Sequence, residues 1–192
     1  MWSFVYVKKI MALISFQSAI STLNTSDNKQ IEKAENSIKN ALSWDKSDVY
    51  YRAISEITML KINPILQTLQ EQSKKDAKDI DQTLVKKLND LILEAGSSTL
   101  SAINIDSTNY YNYISNARVN ELASSLKVPN AYENTKAAYS NALKYNPYSP
   151  SLYLNLAQLE ASMDKADEAL KYIGVALQLK QNYTEAIYLL SQ

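Results

Sequence analysis

The apolar positions of this chain recur with a helical period, most cleanly toward its end. Leu152, Leu156 and Leu159 stand at i, i+4 and i+7 and form one stripe. The spacing predicts a helix from Ser149-Pro150 to about Met163. Ser149 suits the cap, and Pro150 suits the first helical position because its missing N–H would be unpaired there anyway. A second helix carries Ala166, Ala169, Leu170, Ile173, Ala176 and Leu177. Asp164 is its expected cap, with Asp167 near the positive helix end. Small side chains at Ala157, Ala169 and Ala176 predict that the two helices pack closely. A third helix is expected after Asn182, which has Glu185 three residues on and an apolar face of Ala186, Leu189 and Leu190.

The same unit stands once before, from Tyr110 to Asn146, at a spacing of 34 residues. Tyr139 then matches Ile173, Ala142 matches Ala176, Leu143 matches Leu177 and Pro147 falls on Gln181. Its second helix is expected to open at Asn130, with Glu133 three residues on. Two registers remain for its first helix. Counting back 34 puts Leu122 and Ala123 opposite Leu156 and Ala157, whereas counting forward from the preceding segment favours Asn116 and Ala117. Ala102 and Ala142 are 40 apart, which points to an insertion of about six residues near Lys127 to Asn130, since repeats tolerate insertion in loops.

Toward the front the pattern thins. Ala95, Thr99 and Ala102 keep the spacing of Ala169, Ile173 and Ala176, and so do Ala34, Ile38 and Ala41. Each trio is followed by a polar break, Asp106 to Asn109 and Trp44 to Asp48. Val49 to Gln72 reads as helix, with Tyr51, Ile54, Ile57 and Leu60 or Lys61 on one side; Pro64 must kink it or start a new one. Glu71 to Gln82 is the most charged and least patterned stretch, either an exposed helix face or a loop. The most apolar stretch, Met1 to Leu23, is interrupted by Lys8, Lys9, Gln17 and several serines. No membrane-spanning helix is therefore expected. An amphipathic first helix is the reading favoured over a signal peptide with Lys8-Lys9 as basic region and Ile10 to Ala19 as core.

A period of 34 with a small residue in each of two paired helices resembles the tetratricopeptide repeat, a helix–turn–helix unit. The expected fold is all-α, with antiparallel helix pairs stacked as a tetratricopeptide-like α-solenoid. Residues 1–108 would be a divergent helical region, and 109–192 the repeats with a C-terminal capping helix. The chain departs from the family's pattern at Gln181, where a proline usually closes the unit, and at Glu160, where an aromatic is common. In that family the first helix of each unit lines the concave face. The resemblance thus implies a ligand-facing set of Tyr111, Ile114, Arg118, Ser151, Leu154, Asn155, Gln158 and Ser162. Asn155 resembles the asparagine that grips a peptide backbone. The stretch Ser151 to Met163 holds no Lys or Arg, so a basic clamp for a C-terminal carboxylate is not implied. The function implied is a non-catalytic scaffold with a protein or peptide partner.

A narrower resemblance rests on the aromatic N-terminal helix, Trp44 to Arg52, Asp106 to Tyr110 and Lys180 to Ala186. These are similar to the soluble C-terminal domain of O-antigen-ligase-like membrane proteins of bacteria that carry such repeats. That alternative implies an extracytoplasmic, membrane-associated accessory domain, a membrane-proximal N-terminus, glycan contact, and glycan-transfer chemistry in a membrane part. Trp2, Phe4 and Tyr6 beside Lys8-Lys9 would suit an interface, and would equally suit packing of the first helix. Without this resemblance the expected location is cytoplasmic.

Composition narrows the chemistry. Hydrophobic residues make up 46%, enough for a core, while only 2 Gly and 4 Pro argue against a turn-rich β fold. Lys plus Arg and Asp plus Glu are both 20, so no basic excess invites nucleic acid. With no Cys and no His, disulfides, thiolate or imidazole metal sites and nucleophile–histidine pairs are excluded, and neither metal nor cofactor is expected. Glu160, Asp164 and Asp167 could serve a carboxylate-based hydrolase, but they flank a helix turn, where caps belong. Gly174, beside Ala176, is expected to allow close helix packing. The 14 tyrosines cluster at Tyr110, Tyr111 and Tyr113 and at Tyr145, Tyr148 and Tyr153; they suit inter-repeat packing or a ligand groove.

Overall fold

The trios read from the sequence are the spine of the fold. We obtained a computed structural model, which describes residues 2–23, 27–75 and 80–191. Among these residues there are nine helices and no strand. They are α1 (Trp2–Thr22), α2 (Asn28–Trp44), α3 (Asp48–Lys75), α4 (Gln82–Ile105), α5 (Tyr110–Ser125), α6 (Ala131–Tyr145), α7 (Pro150–Ala161), α8 (Ala166–Leu179) and α9 (Thr184–Leu190). The even-numbered helices share one buried pattern. It reads Ala34, Ile38, Ala41 in α2 and Ala95, Thr99, Ala102 in α4. It continues as Thr135, Tyr139, Ala142 in α6 and Ala169, Ile173, Ala176 in α8. Each ends alike: the N–H of Asp45, Asp106, Asn146 and Lys180 donates to the carbonyl of Ala41, Ala102, Ala142 and Ala176.

The chain divides into two compact units, Met1–Ser107 and Thr108–Gln192. In the first, α1 packs on α2, α2 on α3 and α3 on α4. Its core joins Ala12 and Ala19 of α1, the α2 trio, and Tyr50, Ala53, Ile54 and Ile57 of α3. Buried hydroxyls satisfy themselves along the helix, as Thr58 does by donating to the Ile54 carbonyl at 2.9 Å. A buried carboxylate, Glu35, is held by Lys61 of α3 at 2.8 Å and by Lys39 one turn along α2. Burial pushes its carboxyl up, yet the two lysines bring it below the usual range.

Several expectations for this unit change. Of the two readings for Pro64, the start of a new helix is ruled out: α3 runs through it. Of Glu71 to Gln82, the first five residues continue α3, 76–79 lie outside the described residues, and Asp81 caps α4 by accepting from the Thr83 N–H at 2.8 Å. Helix α1 is not amphipathic in the expected sense. Its buried face is small, with Ala12, Ser15 and Ala19, while the large side chains point outward. Its window Phe4–Ser21 is also long and apolar enough to cross a membrane by length and composition, with a mean hydropathy of 1.2, contrary to expectation.

In the second unit, α5 pairs with α6 and α7 with α8, α6 lies against α7, and α9 covers α7 and α8. Ala117, Ala138, Tyr139, Ala142, Leu152 and Leu156 share one core, and Leu154, Ala157, Ile173, Ala176 and Ala186 another. Ala117 thus meets Tyr139 and Ala142 as Ala157 meets Ile173 and Ala176, which decides the register of α5 in favour of Asn116-Ala117. The extra residues are not confined to the loop. Equivalent positions are 40 apart at Ala117 and Ala157, 37 apart at Lys127 and Asp164, and 34 apart at Tyr139 and Ile173. Half the insertion therefore lengthens α5.

Asp164 is not the cap of α8. It adopts a left-handed conformation (φ 56°) and closes α7. Its N–H donates to the Ala161 carbonyl, and the Lys165 N–H to the Glu160 carbonyl. Lys127 (φ 59°) closes α5 in the same way. This paired bonding to carbonyls of the last turn is the Schellman arrangement. Asn130 does precede α6, but in a left-handed conformation that keeps its side chain from capping. Tyr183, not Asn182, precedes α9. Gly174 is exposed, and a methyl group there would meet nothing within 4 Å, so it does not serve close packing.

Candidate functional site

Helix α5 carries a stripe at Tyr111, Ile114, Arg118, Glu121 and Ser125, each three or four residues from the last. Helix α7 carries Ser151, Asn155 and Gln158 at the same rhythm, and Ser162 continues it at the C-terminal cap. Helix α5 is longer than α7 by about a turn, and its C-terminal end and the loop after it line one cavity with the end of α7. This open cavity is about 800 Å³ in volume. Glu121, Ser124 and Lys127 line it on one side, Tyr132 of α6 at the back, and Gln158 and Ser162 of α7 on the other. Val128, Leu159 and Met163 supply apolar wall.

Glu121 is the one carboxylate among the lining side chains. The Tyr139 hydroxyl, itself buried at the core of α6, donates to Glu121 Oε1 at 2.8 Å. Burial pushes the Glu121 carboxyl above its usual range; the Tyr139 hydrogen bond and the Arg118 charge offset that only in part. The Tyr139 hydroxyl is pushed up, first by burial and then by the charge of Glu121. Asn155 of α7 stands close to the Tyr139 hydroxyl and offsets that shift in part. One buried phenol thereby anchors the α5 stripe through Glu121 and has Asn155 of the α7 stripe as a neighbour.

Behind the cavity, Tyr132 donates to Glu160 Oε2 at 2.7 Å. Lys136 Nζ lies 2.7 Å from Glu160 Oε1, close enough for an ion pair though not aligned as a hydrogen bond. Lys165 donates to the Tyr132 hydroxyl at 2.8 Å and stands 4.2 Å above its ring centre. Burial pushes the Glu160 carboxyl up, but Lys136 and Tyr132 bring it below the usual range. An ion pair at this position thus joins α6 to α7. Glu160 is wholly buried, so it cannot act on a substrate with Asp164 and Asp167, both of which are exposed.

The residues expected to face a ligand separate into groups. Gln158 and Ser162 line the cavity. Tyr111, Arg118 and Ser151 are exposed, and Asn155 is half-buried at Tyr139. Ile114 is half-buried against the core around Tyr139. Leu154 is a correction: only 4% exposed, it packs with Ala157, Ile173 and Ala186 and is closed to a ligand. Glu121 was missing from the set, although the stripe through Tyr111, Ile114 and Arg118 runs on to it. Among the tyrosines, Tyr113 and Tyr145 stack at 5.8 Å, and Tyr153 donates to the Pro147 carbonyl. Tyr148 stays 80% exposed.

The second unit is built from helix pairs with a small-residue seam, a Schellman stop and a covering last helix. It has the tetratricopeptide-like fold. No protein-family model matches the chain, and no curated protein matches it. Solved structures do resemble it. TTC0263, a thermophilic tetratricopeptide repeat protein of Thermus thermophilus, is 14% identical over 94% of this chain and 97% of its own, with a TM-score of 0.49. YrrB, a tetratricopeptide repeat protein with an unusual peptide-binding site, is 13% identical over 85% of each chain, with a TM-score of 0.43. PilF of Pseudomonas aeruginosa is 17% identical over 95% of this chain and 82% of its own, with a TM-score of 0.43. The fold rests on the chain's own helix pairs, not on these likenesses.

Proposed function

We propose that this protein is a non-catalytic scaffold whose second unit binds an extended peptide across α5 and α7. The observation that carries the reading is the cavity at the C-terminal end of α5, where Glu121 converges with Gln158 and Ser162 beside the apolar wall of Val128, Leu159 and Met163. An apolar recess with a few convergent polar groups is the usual form of a binding site. Its wall suits one apolar side chain of the peptide, and Gln158 and Ser162 can bond the peptide backbone. Arg118 and Asn155 extend the polar track along the stripes.

Screening the chain against an array of random peptides, with affinities then measured by fluorescence anisotropy, tests this. Binders should lose about tenfold in affinity to Gln158→Ala, and more to Ser162→Trp, which obstructs the recess. Peptides that bind equally well to both variants would place the site elsewhere.

A further inference from the structure

The first helix turns its large side chains the wrong way for a water-soluble surface. Tyr6, Val7, Ile10, Met11, Leu13 and Ile14 are all exposed, most by half or more. With about 100° between successive residues, these six fall on one broad arc opposite Ala12. The other side of α1 is occupied. Ala12 and Ala19 are buried against α2, the Phe16 and Tyr50 rings lie 4.9 Å apart, and Ser15 accepts from Asn40 Nδ2 at 3.0 Å. Turning α1 to hide the arc would expose this packed side in exchange. An apolar arc of this kind marks an interaction surface.

Its chemistry favours one occupant. The first acidic residue of the chain is Asp27, so α1 holds no negative charge. Its two cations, Lys8 and Lys9, fall about 40–60° beyond the two edges of the apolar arc and do not interrupt it. Lys8 lies over the Phe4 ring at 4.8 Å. Lysines at the flanks can reach anionic headgroups while the arc enters the acyl boundary. The arc is convex over Tyr6 to Ile14, and Gln17, Ser18 and Ser21 continue it as polar surface. A fluid, flat apolar medium can cover it, whereas a protein groove would have to wrap nearly half the helix circumference.

We propose that α1 lies in the plane of an anionic lipid bilayer, its Tyr6–Ile14 arc sunk about 5–10 Å into the headgroup and acyl boundary. The side held by α2 stays out of the lipid, so the helix rests in the surface rather than crossing it. The proposal is independent of peptide binding by the second unit.

Flotation of the full chain with phosphatidylcholine vesicles containing about a quarter phosphatidylglycerol tests this, alongside analytical ultracentrifugation without lipid. The wild type should float with these vesicles, weakly with pure phosphatidylcholine, and less as salt rises. Ile10→Glu/Ile14→Glu should reduce flotation about tenfold or more with unchanged circular dichroism, because both positions are exposed. If that variant unfolds, Lys8→Glu/Lys9→Glu gives the same reading through the charge. A dimer that neither floats nor survives Ile10→Glu/Ile14→Glu would assign the arc to a second copy and overturn the proposal. A monomer that does not float would overturn it too, as would flotation unaffected by either variant.

Discussion

Lys136 Nζ stands 2.7 Å from the wholly buried carboxylate of Glu160, joining the second helix of one repeat to the first helix of the next. Losing one member of a buried pair costs about 3–5 kcal/mol, because the survivor is left buried and charged. The Lys136 side chain is 34% open to solvent. Lys136→Met should therefore cost less, about 2–3 kcal/mol. Lys136→Met/Glu160→Leu should recover most of that loss, since no charge is then left behind. Urea denaturation of the two single variants and the double variant closes the cycle; simple additivity would mean that the pair is not coupled.

The two site carboxylates bend stability in opposite directions with pH. Glu160 sits below its ordinary value of 4.5 in the fold. Its contribution is present above 4.5 and is lost as pH falls through the folded value. Glu121 sits above 4.5, so the folded chain holds its proton more tightly. The associated stability is present below 4.5 and is lost as pH rises through the folded value. Glu121→Gln should remove that second loss. Its melting temperature relative to wild type should climb between about pH 4 and pH 7. A constant offset across this range would show that burial does not govern Glu121.

Much of this was readable in advance, and the failures have a common cause. The buried trio at i, i+4 and i+7 survives in all four even-numbered helices, and each ends on an alanine (Ala41, Ala102, Ala142, Ala176), because a small side chain is needed where two helix axes approach, so its spacing cannot drift. The stop at Asp164 was misread because an acidic residue ahead of a helix looks like a cap. The left-handed conformation that makes it a stop is set by bonds to the carbonyls of α7, which the spacing does not display. Glu121 was missed because a glutamate on a helix surface looks solvated. Its neighbour Tyr139 is eighteen residues away in the sequence and comes near only after α5 and α6 pair. The first helix departs from the expected amphipathic pattern because Ala12 and Ala19, rather than its bulky side chains, make the seam with α2.

Gly174 offers a gain in stability. It lies mid-helix, on the exposed side of α8, and an added methyl meets nothing within 4 Å. Gly174→Ala should raise stability by about 0.5–1 kcal/mol by reducing the freedom of the unfolded chain. Thermal melting reads this directly, and a loss would reveal a close neighbour that the geometry lacks.

The neighbouring seam residue should respond with the opposite sign. Ala176 is wholly buried among Leu154, Ala157, Ile173 and Ala186, and its carbonyl receives the N–H that ends α8. Three extra carbons here would have to push α7 and α9 away from α8, because the seam is already closed. Ala176→Leu should therefore cost about 1–3 kcal/mol, the usual penalty for overpacking a well-filled core. The same change two residues earlier, Gly174→Leu, should be nearly neutral or stabilising, since that position faces solvent. Melting temperatures of the two variants, measured side by side, separate a specific seam from a generally crowded helix. Equal losses at both positions would refute the packing register that defines the repeat.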